Sequence, residues 1–446
     1  CRRLMLQSSL VCLSLLVSVS ALSKIIVSGD THGGVCEDGS PPVYFLRPGE
    51  TEPRKWVIHL QGGGWCSKPE GCGGTSRHYP DVIDDTTRGS VCCCSGGMLS
   101  ADPALDPTFH GWTLAFVTNC DGSSFSSDRQ DPGTTPEGAP VYFRGRRVLR
   151  AVVEHLLRNG MRDAETVVLA GCSAGGLAVL LQGDYVRTLI PSSIPVRGLV
   201  DAGWFLDLPT VHGAYDHGDR MADAAELWNA TTDSDCMAAH PNDPAACIWA
   251  GTVYPHVQLP LFIIQSKYDR WQLEHHLSLG PLVQCFRGDP NGAACSQEAY
   301  GPYWDLFHLV GETTLAQLEP AIANPKDGVY LASCLYHCLS INMGVRPPWT
   351  SASVADHSPA DAVAAWLQAE TPCSSSRDGD NRSRPSHYHL TPPPPHTSTL
   401  TSPPPTASPP PPSRCSQRHS CSAKQGAHVF VDECAWPCNP SCHTHW

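Results

Sequence analysis

A hydroxyl set at a tight corner is the first feature of this chain that points to chemistry. Residues 171–175 read Gly-Cys-Ser-Ala-Gly, a G-x-S-x-G pattern. Small flanking residues let a strand turn sharply into a helix, which lifts Ser173 above the sheet edge. The next backbone N–H, that of Ala174, then faces the same space, and the helix N-terminus adds positive potential. The apolar "ETVVLA" before the pattern and "GLAVLLQGDYVR" after it supply the strand and helix this needs. A glycine-rich packing turn with an idle serine is the plain alternative, and the flanking elements weigh against it.

A serine at its ordinary pKa is a poor nucleophile, so it needs a base, and the base needs an orienting acid. Around such an elbow, acid and histidine follow the serine in that order, on loops after later strands. "LFIIQSKYD" ends an apolar run on Asp269. "YLASCLYHC" sets His337 between Cys334 and Cys338, two cysteines able to pin its loop by disulfides. Asp201 and Asp207 in "LVDAGWFLDL" are rival acids, and the chain has 21 histidines, so order favours Asp269 and His337 without closing the choice. "HLQGGGWC" (59–66) ends an earlier apolar run in three glycines. Backbone free of side chains can turn N–H groups toward a developing oxyanion.

The elements that must hold these residues are legible as alternation. "KWVIHL" (55–60), "WTLAFV" (112–117), "ETVVLA" (165–170) and "LFIIQ" (261–265) read as buried strands of a parallel sheet. In "FRGRRVLRAVVEHLLRNG" (143–160), Val148, Leu149, Val152, Val153, Leu156 and Leu157 share one helical face, and Gly160 ends the run. Strand and helix alternating over about 300 residues predict a mostly parallel, doubly wound α/β sheet.

Composition bounds the partners and the compartment. Of 446 residues, acidic side chains outnumber basic ones to give a net charge of −13, which argues against nucleic acid or an anionic membrane as partner. Arg2, Arg3 and the short apolar stretch "LVCLSLLVSVSAL" predict a secretory leader over 1–21. No other stretch is long and apolar enough to anchor the chain in a bilayer. Removing Cys1 and Cys12 with that leader leaves an even twenty of the 22 cysteines, as a disulfide framework requires. Asn229 and Asn381 open N-x-S/T sequons. Residues 24–373 read as the globular unit. Residues 374–428, with "TPPPPHTSTLTSPPPTASPPPPS", read as a Pro-rich linker or insertion, and 429–446 as a Cys-rich tail. The cysteines and histidines of that tail and "CCC" at 92–94 invite a metal reading, but zinc spacing is absent and disulfides are expected instead. No metal is expected from this spacing, and a monomer is expected.

Eight blocks in order resemble the pectin acetylesterase family, which also holds the Notum carboxylesterases. They are "HLQGGGWC" (59–66), "CDGSSF" (120–125), "FRGRRVLRAVVEHLLRNGM" (143–161), "GCSAGGLAVLLQGDYVR" (171–187), "DAGWFLDL" (201–208), "SKYDRWQL" (266–273), "SCLYHC" (333–338) and "CAWPCNPSC" (434–442). The resemblance implies a disulfide-stabilised α/β-hydrolase-like fold and a secreted serine esterase that needs no metal or organic cofactor. It carries the nucleophile onto Ser173, the acid onto Asp269 and the base onto His337, with the backbone N–H groups of Gly63, Gly64 and Ala174 as oxyanion donors. It implies an acetylated, pectin-like wall polysaccharide as substrate. Two other readings stay open: a Notum-like lipid-ester hydrolase, and a wall carbohydrate-binding protein without catalysis. Where plant members commonly carry Glu in the glycine loop, this chain has Gln61.

Overall fold

A computed structural model describes residues 21–68, 72, 79–83, 96–288, 294–341, 348–369, 417–421 and 428–432. In chain order the strands are β1 (Leu22–Ile26), β2 (Val43–Arg47), β3 (Glu52–Leu60), β4 (Val82–Ile83), β5 (Trp112–Val117), β6 (Gly133–Thr134), β7 (Pro140–Val141), β8 (Thr166–Cys172), β9 (Val196–Asp201), β10 (Leu261–Ser266), β11 (Gly328–Ala332), β12 (Gln417–Cys421) and β13 (His428–Asp432). Eleven of them form one sheet in the order β12-β13-β11-β10-β9-β8-β3-β5-β2-β1-β4, while β6 and β7 pair separately. From β5 to β13 the central strands run parallel. The outer strands β12, β2, β1 and β4 pair antiparallel.

Parallel strands covered on both faces read as continuous apolar runs rather than alternating ones. Every residue of β5 and β10 is buried, as is β3 from Trp56 to Leu60. The four runs expected as strands are therefore β3, β5, β8 and β10. Strand β9, "VRGLVD", escaped that reading because Arg197 and Gly198 dilute its apolar run.

Helix α1 (Gly145–Arg158) buries Val148, Leu149, Val152, Val153, Leu156 and Leu157, the predicted face. Gly160 then takes the left-handed conformation, with φ 110°, that commonly closes a helix. Helix α2 (Ala174–Leu189) follows β8 directly, and helix α3 (Asp216–Trp228) lies between β9 and β10 in the chain.

Strand β13 comes from beyond the Pro-rich stretch, yet it pairs in parallel with β11, Val329 opposite Val429 and Leu331 opposite Val431. The expected leader, except Ala21, most of the Pro-rich stretch, the tail beyond 432, "CCC" at 92–94 and Asn381 lie outside the described residues.

With both partners among the described residues, five disulfides join Cys36–Cys120, Cys66–Cys72, Cys172–Cys338, Cys236–Cys247 and Cys285–Cys295. Cys334 is disulfide-bonded as well.

Candidate active site

The four segments singled out by chemistry all leave the C-terminal ends of parallel strands, the end where open α/β sheets place ligands. The glycine loop follows β3, Ser173 follows β8, Asp269 follows β10 and His337 follows β11.

Ser173 holds φ 60° and ψ −126° between β8 and α2. The glycines around it are required by proximity. A Cβ on Gly175 would stand 2.0 Å from the Leu60 carbonyl oxygen, and one on Gly171 would stand 2.2 Å from the Gly175 oxygen. The elbow is thus wedged onto the end of β3, against the glycine loop. The Ser173 N–H donates to the Asp201 carbonyl at 2.9 Å, and Leu177 N–H returns to the Ser173 carbonyl at 2.9 Å to open α2.

Asp269 is 1 % exposed and hydrogen-bonds His337 Nδ1 through both oxygens, at 3.0 and 2.8 Å. Its Oδ1 also accepts from the Gln272 N–H at 3.0 Å, which fixes the carboxylate. A carboxylate on Nδ1 selects the tautomer with its proton there, leaving Nε2 as the acceptor. The Trp271 ring stacks at 6.0 Å on the imidazole. Neither rival acid takes this role. Asp201 spends its carboxylate on the N–H groups of Leu339 and Ser340, and Asp207 is exposed beside Gly218.

In the glycine loop, Gly63 and Gly64 adopt φ 113° and 80°, and neither has an atom within 4 Å of where a Cβ would stand. Their conformation, not crowding, calls for glycine. Gly62 differs: its Cβ would meet the Cys172 carbonyl oxygen at 2.6 Å, so the loop lies tight on the elbow. A second tie runs through Ser124. Trp65 Nε1–H donates to Ser124 Oγ at 2.7 Å, and the Ser124 hydroxyl donates to the Ala174 carbonyl at 2.7 Å. Gln61 is buried and its side-chain oxygen accepts the Asn119 N–H at 3.0 Å, so the loop base is held by an amide.

These parts meet at a cavity of about 660 Å³, with Ser173, His337, Gly63 and Gly64 on its wall. Ala174 opens α2 beside them and is itself fully buried. Among the described residues no hydrogen bond joins the Ser173 hydroxyl to the imidazole. Trp65, Trp271 and Met221 give the wall an apolar face, and Arg220 and His275 stand exposed on it. His217 lines it too, packed at 4.1 Å on the buried His276. Burial drives both histidines to the neutral form, His217 down to about 4 and His276 to about 2, with the nearby Arg220 pushing the same way.

Sequence reasoning did not identify these wall residues, although a signal exists. His217, Arg220 and Met221 fall at i, i+3 and i+4 of α3, and Trp271 and His275 are four apart. Both are spacings of one helical face.

Two described clusters have metal-like composition, Cys236/His240/His256 and Cys172/Asp201/Cys338. Their cysteines are already in disulfides, so neither offers a thiolate.

Comparison with known proteins adds the family and the fold. The family model "Pectinacetylesterase" matches residues 18–443. The chain is 28 % identical to pectin acetylesterase 5 of Arabidopsis thaliana over 79 % of its own length and 82 % of the relative's. It is 26 % identical to the palmitoleoyl-protein carboxylesterase NOTUM of Drosophila melanogaster over 74 % of its length and 46 % of the relative's. The solved structure of the Wnt deacylase Notum from Drosophila superposes with a TM-score of 0.63 at 25 % identity, covering 78 % of this chain and 93 % of that one. That neighbour shares the α/β-hydrolase-like fold. An elbow serine, a glycine loop and a match that runs through both and on to the tail lead to one conclusion: this carboxylic ester hydrolase belongs to the pectinacetylesterase family.

Proposed function

We propose that the chain is a secreted serine esterase that removes O-acetyl groups from a pectin-like wall polysaccharide. The observation that carries this reading is the Asp269–His337 pair, bonded at 2.8 Å, whose imidazole lines the same cavity as Ser173 and the open glycines. His337 Nε2 takes the Ser173 proton as the hydroxyl oxygen attacks the acetyl carbonyl. Hydrogen bonds of this kind are often long without substrate and tighten in the complex. The tetrahedral oxyanion is held by the N–H groups of Gly63, Gly64 and Ala174. His337 then gives its proton to the departing sugar oxygen. A water, deprotonated by the same nitrogen, releases acetate and returns the proton to Ser173.

The acetylated polysaccharide is favoured by the Arabidopsis relatives and by the cavity wall. Arg220 and His275 suit the carboxylates of a uronate chain better than a lipid. The disulfides and the expected leader support secretion, and no described helix is long and apolar enough to cross a membrane. Trp65, Trp271 and Met221 favour the second reading, a longer acyl group as in the Notum relatives. Hydrolysis of esters from acetyl to long-chain acyl, alongside acetylated pectin, separates the two. The proposal expects acetate release from pectin and falling rates with chain length. A preference for long acyl esters would replace it with the second reading, and no hydrolysis at all would favour a non-catalytic carbohydrate binder.

A further inference from the structure

We propose that Asp201 is a positioning residue that sets where His337 stands relative to Ser173. It ends β9, the strand beside β8. Its main chain and side chain each hold one of the two catalytic loops. The carbonyl accepts the N–H of Ser173 at 2.9 Å. The carboxylate accepts the Leu339 N–H at 3.0 Å, the Ser340 N–H at 2.7 Å and the Ser340 hydroxyl at 2.6 Å. Asp201 is fully buried, so those three donors replace water around the charge.

The same two loops are joined a second time by Cys172–Cys338, which links the neighbours of Ser173 and His337. The Asp201 carboxylate and both sulfurs lie within 4.8 Å of one another, so bridge and clamp form one cluster. Backbone conformation shows what the cluster restrains. Ser173, Ala202 and Cys338 hold φ 60°, 47° and 64°, the left-handed region that side chains disfavour. Such conformations persist where surrounding contacts over-determine them. With the clamp released, the disulfide alone restrains Cys338, and the relaxation left to it shifts His337 beside it away from the elbow. An asparagine at 201 keeps the shape but presents an NH₂ to one of the donors, so one arm of the clamp opens.

This inference rests on the proposed serine mechanism. Asp201→Asn and Ser173→Ala are compared with the wild-type full chain, disulfides intact. The readouts are kcat and KM on a small neutral acetyl ester, and an end-point fluorophosphonate titration that counts competent sites. Asp201→Asn is expected to lose about 10²-fold in kcat per titrated serine with KM little changed, the scale of a small misplacement of reacting groups. Unchanged kcat per titrated site, with only a smaller titrated fraction or lower melting temperature, would overturn the proposal by making the residue merely structural. Should Asp201→Asn fail to fold, Ser340→Ala removes one donor to the charge. It is expected to cost about tenfold in the same quantity, and full kcat there overturns the clamp. If Ser173→Ala keeps turnover, the serine reading and the clamp fall together. If it is inactive while Asp201→Asn is fully active, only the clamp falls.

Discussion

Ser173, Asp269 and His337 divide between what residue order specifies and what only three dimensions supply. Order and an apolar strand ending on Asp269 pointed to the pair that the fold joins through Nδ1. Order favoured Asp269 without excluding Asp201, because both follow the serine and both end apolar runs. The difference is tertiary: the carboxylate of Asp201 is already taken by Leu339 and Ser340. The residues of the cavity wall were less legible still. Arg220 sits among acidic neighbours on α3 and reads in sequence as an ordinary exposed charge. In the fold it lines the cavity, and no ion pair with it is found among the described residues. An acidic polysaccharide approaching a chain of net charge −13 needs such a local cation. Arg220→Gln is therefore expected to raise KM for acetylated polygalacturonate about tenfold, the scale of one charge-assisted hydrogen bond. Hydrolysis of a neutral acetyl ester should be unaffected. Equal effects on the two substrates, measured side by side, would remove the carboxylate role.

Between single residues and the whole molecule, the elements act through their ends. Strand β8 and helix α2 meet at Gly175, too close to Leu60 to accept a side chain, and at Gly171, too close to Gly175 itself. The sequence pattern was legible because that crowding leaves no alternative residue. The strand β9 was not, since its Arg197 binds the carbonyls of Trp366 and Leu367 rather than joining the apolar core. The cysteine spacing around His337 announced a pinned loop, while its partner, Cys172, lies 166 residues away and is specified only by the sheet order. A bridge spanning that separation restricts the unfolded chain strongly, by about 5 kcal/mol in the chain-entropy account. The double variant Cys172→Ser/Cys338→Ser is expected to melt well below the wild type and to lose activity at temperatures where it is still folded. Circular dichroism and acetate release, followed together through the melt, check both. Activity that persists up to the variant's own melting point would mean the bridge stabilises without orienting.

For the whole molecule, the sheet continues past the Pro-rich stretch, because β13 lies in register on β11. Composition marked the stretch as unlike the rest but gave no sign that the chain returns to the core. Phe430 is nearly fully buried and its ring meets that of Tyr330 at 6.3 Å, packing that binds the returning strand. Two of the buried histidines make the folded state sensitive to acid. His217 and His276 titrate near 6.5 when unfolded but are held neutral down to about 4 and about 2 when folded, mainly by burial. Below pH 6.5 the unfolded chain takes up protons that the folded one refuses, so stability falls with pH by about 1.4 kcal/mol per unit for each such histidine. For His217 that loss runs from 6.5 to about 4. Melting temperature measured across this range should decline, and His276→Phe, which keeps a buried ring without a proton site, should flatten part of the decline. An unchanged slope in the variant would place the acid sensitivity elsewhere. The central claim, that the hydroxyl at 173 is what breaks the ester, is tested most directly by acetate released from acetylated pectin by Ser173→Ala. The account predicts a folded protein with wild-type melting behaviour whose turnover falls to background. Undiminished acetate release by that variant would contradict it.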